Sequence, residues 1–394
     1  VSICAMVYFL DGLVHTIMGP LAPEFAPMLG LGDADLGPIF SANLIGQCIG
    51  LIALPPLAAR FGDRWTVGLT LAGFGAAQAL TGLANSGEQL FWMRLITGVL
   101  LGGCLPSCLA IVTAAAPLER RGLAITFLFT GYGLGATIAG IVAIAFTGLG
   151  GWRVAMGAVG LLCLATSVIT IMVLRDAEDT ASQSHAPQPR ATPLNLLAPD
   201  YRLGTLMLWL VFIAMLTISY CLSSWLPVLL VRLGYAPAFA ALALSIFSFG
   251  GIAAALCMGL LIDRYGAYRV LVSSLLIAAA FFFVARQIVG ASSALILQLV
   301  LAACGFFALG AYGGVNVILA SFYPPRLRST GIGWAKSVGR IGTVAAPVLI
   351  GAQLEAGIAE TTILASFAVP AIAAAIALIA MKVFKRRGVA TEGV

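Results

Sequence analysis

The sequence predicts an all-α membrane protein with twelve transmembrane helices in two six-helix pseudo-repeats. Three observations predict it. Of 394 residues, 61% are hydrophobic and only 9% charged, with a mean hydropathy of +1.06; an ordinary soluble domain carries roughly 25% charged residues. Apolar runs of about twenty residues recur along the chain, the length a helix needs to cross a bilayer. In lipid, only helices and closed barrels satisfy their own backbone polar groups. The third observation is an internal repeat. PPLAARFGDRWTV after the second run is answered by GLLIDRYGAYRVL after the eighth, aligning Arg60 with Arg264 and Gly62 with Gly266. APLERRGLA after the fourth is answered by YPPRLRSTG after the tenth, aligning Pro117 with Pro324 and Arg121 with Arg328.

Cutting the chain at its polar clusters places the spans at about 1–22, 37–58, 66–86, 88–115, 122–148, 152–174, 203–231, 238–262, 268–289, 292–321, 329–353 and 360–383. The one long polar stretch, residues 175–202, is rich in Pro, Ser and Ala and reads as a flexible cytoplasmic linker. It separates an N-terminal six-helix bundle, 1–174, from a C-terminal one, 203–394. His185 falls in this linker as a solvated loop residue. Basic residues favour cytoplasmic loops. Arg60, Arg64, Arg120, Arg121, Arg264, Arg269, Arg326 and Arg328 all follow even-numbered spans, whereas Glu24, Asp33, Asp35, Glu88, Glu355 and Glu360 lie at the other ends. Both termini and the linker are therefore expected in the cytoplasm of a bacterial cell, with the chain multi-pass in the inner membrane. The closing KVFKRR reads as a stop-transfer anchor. No cleavable signal is evident, and a start inside a span without Met predicts a short tail ahead of it.

Other classes find little support. The net charge of +6 is explained by loop location and does not call for nucleic acid. The eight cysteines all fall inside apolar runs and form no CxxC pair, against disulfide or metal roles. No nucleophile–base set, phosphate loop or metal cluster suggests an enzyme. The expected partners are the bilayer and a small organic anion, with the protein a monomer and no cofactor beyond a coupling proton.

The chemistry lies in the few charges inside the spans. Asp11 stands in the first, VSICAMVYFLDGLVHTIMG, with only His15 nearby. A carboxylate at the centre of a bilayer costs several kcal/mol unless paired, hydrated or protonated, so Asp11 is a proton-coupling candidate; a helix–helix hydrogen bond that only holds packing is the other reading. His15, four residues on, shares its face and either passes a proton along or is a core histidine bonded to a neighbouring carbonyl. Arg94 sits about two turns into the fourth span, to stabilise the proton site or to cap helices. Lys336 and Arg340 share a face of the eleventh span. Two like charges so placed repel unless an anion joins them, and Arg grips a carboxylate through two parallel bonds; a structural pair of Arg340 with Asp11 or with carbonyls is the alternative. Tyr220, Ser223 and Ser224 in the seventh span and Tyr312 and Asn316 in the tenth are candidates to line a partly polar cleft. Trp225 reads as an interfacial anchor.

The turn GLLIDRYG resembles the G-x-L-x-D-R-x-G signature of the major facilitator superfamily. Parallel six-helix repeats of that kind suit transport by alternating access. The resemblance implies that Asp263 and Arg264, with Arg60, Arg64, Asp63, Glu119 and Arg121 in the related turns, gate the cytoplasmic side. The first turn departs from the pattern: Ala59 replaces the acid and Asp63 stands four positions later, placed to pair with Arg60 or Arg64. Further stretches resemble the aromatic acid:proton symporter family, including RLITGVLLGGCLPS, YCLSSWLPVLLVRLGY and GFFALGAYGGVNVILASFYPPRLRSTGIGWAKSVGRIG. That likeness implies a symporter importing an aromatic carboxylate with protons. Arg340 falls in a segment like the family's G-I-G-R. The family's D-G-x-D in the first span is here Asp11, Gly12, Leu13, Val14, so the second acid is a valine. Alternatives are import of a non-aromatic mono- or dicarboxylate, proton-driven export of drugs or metabolites, and a non-transporting sensor on the same fold. Ala136, where antiporters of the superfamily carry a proline, counts against export.

Overall fold

The computed structural model describes residues 1–117, 120–174, 193–290 and 293–391, all of whose regular elements are helical. In chain order these are α1 (Ser2–Thr16), α2 (Met18–Met28), α3 (Asp33–Ala53), α4 (Pro55–Phe61), α5 (Asp63–Thr81), α6 (Gly87–Ala115), α7 (Arg121–Thr147) and α8 (Gly151–Val173). A 3₁₀ turn at Pro193–Leu197 leads into α9 (Pro199–Arg232), α10 (Pro237–Tyr265), α11 (Ala267–Ile288), α12 (Ala294–Phe322), α13 (Pro325–Glu355), α14 (Glu360–Ser366) and α15 (Ala368–Thr391). Ile17 keeps right-handed helical angles between α1 and α2, so the two cross as one stretch, Ser2–Met28; α14 and α15 do the same.

Among the described residues, eleven stretches are long and apolar enough to span a membrane. The remaining predicted span corresponds to α5, where Asp63, Arg64 and Gln78 within 19 residues lower its apolarity. Residues 175–192 of the expected linker lie outside the described residues. α9 begins at Pro199, inside the stretch read as linker. Its start is pinned by Thr205, whose hydroxyl donates to the Leu196 carbonyl (2.9 Å) and meets the Tyr323 hydroxyl (3.0 Å).

Glycines set how close the helices come, because a side chain at these positions would strike backbone. A methyl group on Gly12 of α1 would fall on the Tyr132 carbonyl of α7, and one on Gly135 of α7 on the Phe9 carbonyl of α1. Gly46 and Gly50 of α3 meet the backbone of α6 in the same way, and Gly75 of α5 meets Gly160 of α8. Corresponding helices pair in the second half: Gly305 of α12 rests on Phe247 of α10, and Gly339 of α13 on Phe212 of α9. Small residues that let helices approach are the usual device where lipid offers no hydrophobic drive to pack.

The chain forms two compact units. The first takes the described residues through Leu174 together with Ser223–Ser245 and Pro347–Gly357; the second takes those from Pro193 to Leu222, Ile246–Ala346 and the residues from Ile358 onward. Within the first unit, Arg232 at the end of α9 makes an ion pair with Asp33 at the start of α3 (2.5 Å). Nearby Gly37 abuts the backbone at Pro347 and Val348. Trp225 is no interfacial anchor: it is fully buried against Phe40 of α3, ring centroids 5.4 Å apart and edge-on.

Candidate functional site

The first unit carries a buried polar cluster around α1. Asp11 is 2% exposed and lies within electrostatic reach of Cys104 of α6 and Cys163 of α8, so its carboxylate belongs to the bundle interior. His15 is buried on the same helix and its ring lies 6.3 Å from that of Tyr132 of α7. Tyr132 in turn packs on Tyr8, one turn before Asp11, at 5.5 Å. The α1–α7 glycine contact thus presses Tyr8, His15 and Tyr132 together along the face that bears Asp11.

Arg94 is 1% exposed, and its surroundings explain how a buried cation is tolerated. One terminal nitrogen donates to the Val14 carbonyl of α1 (3.4 Å). The other donates to the Gln78 side-chain oxygen of α5 and to the Thr81 hydroxyl (3.3 Å). Its Nε has no hydrogen-bond partner among the described residues. Buried charge persists only where hydrogen bonds or counter-charge replace water. Gln78, itself fully buried, also donates to the Met156 sulfur of α8 (2.9 Å), which fixes its amide. Arg94 therefore ties α1, α5 and α6 together. It meets α1 at the backbone of Val14, the position that departs from the D-G-x-D pattern, three residues or about 4.5 Å of helix rise beyond Asp11. Gln78 and Thr81 were not among the expected site residues. Their one sequence signal is a glutamine inside an apolar run, which a buried partner alone explains.

The second unit gathers four of the expected substrate contacts. Tyr312 of α12 lies within electrostatic reach of Tyr220 of α9 and Arg340 of α13, and Lys336 within reach of Arg340. The Tyr312 ring stands edge-on to Phe212 (6.4 Å, 78°). Gly339, beside Arg340, packs on Phe212 and Leu216, so α13, which carries the two cations, lies against α9, which carries Tyr220. Asn316 is turned back on its own helix: its amide nitrogen donates to the carbonyls of Tyr312 (3.2 Å) and Gly313 (3.1 Å), leaving its oxygen as the group it offers. Ser224 does not join this set; by its packing it belongs to the first unit, where the backbone at Ser223 and Ser224 receives Gly19 of α2.

The expected gating residues lie at helix ends. Asp63 makes no ion pair with Arg60 or Arg64 among the described residues, contrary to expectation. Arg64 donates instead to the Ile171 carbonyl of α8 (2.8 Å), and the Arg60 guanidinium lies over Phe61. Asp63 opens α5 directly after Gly62, where an acid is favoured by the helix dipole. Arg121 opens α7 and donates to the Ala116 carbonyl (3.3 Å). Asp263 and Arg264 are exposed on the last turn of α10, with Arg264 over the Tyr265 ring at 5.3 Å. Glu119 lies outside the described residues.

Comparison with known proteins agrees with this architecture. The sequence profile described as Major Facilitator Superfamily matches residues 4–242 and 208–393. A gallate transporter of Pseudomonas putida is 28% identical over 96% of this chain and 90% of its own length. A 4-hydroxybenzoate transporter of Pseudomonas aeruginosa is 30% identical over 87% and 83%. The crystal structure of a D-xylose–proton symporter superposes with a TM-score of 0.79, covering 96% of each chain at 13% identity. At that identity it speaks for the fold alone.

Proposed function

Because the chain belongs to the Major Facilitator Superfamily, we propose that it is a proton-coupled symporter that imports an aromatic carboxylate by alternating access. Transport rather than catalysis is the activity of the family and of these relatives. The observation that carries the substrate reading is the set in the second unit: two cations one turn apart on α13, with Tyr312 within electrostatic reach of Arg340 and of Tyr220. Arg340 binds the carboxylate through two parallel hydrogen bonds. The tyrosines flank an aromatic ring, their hydroxyls exchanging hydrogen bonds with ring substituents, and Lys336 faces a second polar or anionic group. The relatives named for gallate and 4-hydroxybenzoate, both hydroxylated benzoates, support that class. Lys336 also favours a second reading, a dicarboxylate, because it supplies a second positive charge at the same face.

Coupling is assigned to Asp11. Protonated, it is neutral and tolerated in the buried cluster; ionised, it would rely on Arg94 of α6, whose guanidinium reaches α1 at the Val14 carbonyl. Val14 leaves one acid where the family pattern has two, so one proton per substrate is the simplest stoichiometry, with His15 as a relay. A ligand drives such a cycle only through different affinity for its two states. The distribution of Arg and Lys supports a bacterial inner-membrane topology with both termini and the linker between its bundles cytoplasmic, and the protein is read as a monomer.

The test is uptake of labelled 4-hydroxybenzoate and gallate into proteoliposomes under an imposed pH gradient. Accumulation against a concentration gradient, collapsed by a protonophore, is expected. Asp11→Asn is expected to abolish accumulation while equilibrium exchange of substrate continues. Proton-driven accumulation by Asp11→Asn would overturn the coupling assignment. Unchanged affinity in both Lys336→Ala and Arg340→Ala would overturn the anion site.

A further inference from the structure

The second unit has a surface groove lined by none of the residues assigned above to substrate or proton. It opens between α10, α11 and α12 and encloses about 360 Å³, within the roughly 300–1,000 Å³ typical of small-molecule sites. Its floor is apolar, formed by Met258, Val270 and Phe307. Leu261 and Ile277 on its walls are each 38% exposed, as expected of side chains that face hydrocarbon. Arg269 stands at one end, in the first turn of α11, and Ser273 lies one turn deeper.

Length and charge identify the occupant. From Arg269 to Ile277 the groove follows α11 for eight residues, about 12 Å of helix rise. One leaflet of a bilayer's hydrocarbon core is about 15 Å thick, half of ~30 Å. An apolar channel of that length, with a cation where the helix leaves the membrane, matches one acyl chain beneath an anionic headgroup. Arg269 is exposed and has no hydrogen-bond or ion-pair partner among the described residues. Arg264 stands close by, over the Tyr265 ring that also lines the groove. Asp263 offsets one of these charges and leaves a net positive mouth. Ser274 closes the inner wall by donating to the Phe307 carbonyl (2.8 Å), so no backbone acceptor faces the chain there.

We propose that this groove is a binding site for an anionic phospholipid, with its phosphate on Arg269 and one acyl chain along α11. Basic pockets between transmembrane helices are the physical form such sites take.

Native mass spectrometry of the intact protein, released from nanodiscs of phosphatidylglycerol and phosphatidylcholine, tests it. Wild type is expected to retain one phosphatidylglycerol in preference to phosphatidylcholine. Arg269→Gln is expected to lower phosphatidylglycerol retention about fivefold, the worth of one basic residue at an anionic membrane surface, and to leave phosphatidylcholine unchanged. Ser273→Trp, which fills the groove, should lower retention of both. Thermal midpoints of the variants, compared with wild type, confirm that they are folded. Equal phosphatidylglycerol retention by wild type and a folded Arg269→Gln would overturn the proposal. So would displacement of the lipid by millimolar inorganic phosphate, which would make the site one for a free anion.

Discussion

Gln78→Met tests how Arg94 is kept buried. The substitution preserves the length and volume of a side chain that is fully buried between α5, α6 and α8 but removes the oxygen on Arg94. The remaining acceptors are longer: the Val14 carbonyl at 3.4 Å and the Thr81 hydroxyl at 3.3 Å, near the limit of a useful hydrogen bond. Hydrogen bonds to charged groups contribute about 1.5–3 kcal/mol each, and a buried donor left without a partner adds a further desolvation penalty. Since Nε already lacks a partner, Gln78→Met should destabilise the protein by about 2–4 kcal/mol. Equilibrium unfolding in mixed micelles with denaturant gives the difference. Gln78→Glu should recover most of the loss, because a carboxylate there pairs with the guanidinium. Thr81→Val should cost less, about 1 kcal/mol, since its contact to Arg94 is weak. A Gln78→Met protein within 0.5 kcal/mol of wild type, as an order-of-magnitude bound, would refute the view that Gln78 is the main counterpart of the buried cation.

Other consequences are equally direct. Gly12→Val and Gly135→Val each place a side chain on the backbone of the facing helix; overpacking of this kind costs about 1–3 kcal/mol, so both should lower the thermal midpoint and uptake, whereas the control Gly313→Ser sits at an exposed position where nothing lies nearby. The last comparison separates packing from composition: Gly313→Ser should behave as wild type in the same melt. Arg340→Lys keeps the charge but not the fork, and should weaken substrate binding by tenfold or more, about 1.4 kcal/mol, read as a raised apparent KM for 4-hydroxybenzoate. The Asp33–Arg232 pair is partly exposed, with side chains 23% and 39% accessible, so a double-mutant cycle of Asp33→Asn and Arg232→Gln should give a coupling under about 1 kcal/mol that shrinks at high salt.

Much of the fold was legible because each span is an apolar run bounded by helix-ending residues. The sixth was expected at 152–174 and is observed at Gly151–Val173; the ninth, expected at 268–289, is Ala267–Ile288. The start of α9 was misplaced because Pro199, Asp200 and Arg202 look like linker by composition, yet proline is well suited to the first turn of a helix. Side-chain partners were less legible. The i, i+4 spacing of Lys336 and Arg340 showed a shared face, but the closeness of Tyr220 and Tyr312 depends on how α9, α12 and α13 pack. Arg94 stood out as a charge in an apolar run, whereas its acceptors lie on other helices, 13, 16 and 80 residues away. Trp225 misled for a related reason: a tryptophan before a proline near a span end suits the membrane interface, and only tertiary packing against Phe40 buries it.

The composition of the first unit bears on how the chain is made. It draws in residues as late as Gly357 of 394, including the partner of Asp33 and the backbone that Gly37 touches. Translation proceeds at about 5–20 residues per second, so the first six spans wait roughly 10–40 s, the time to make about 180 more residues, before their packing can be completed. During that interval Gly37 of α3 and the acid at the start of that helix have no final neighbours. The nascent first half is therefore the stage at which the protein is most exposed to membrane quality control, and substitutions at Arg232 or Pro347 should show first as lowered abundance of the whole chain.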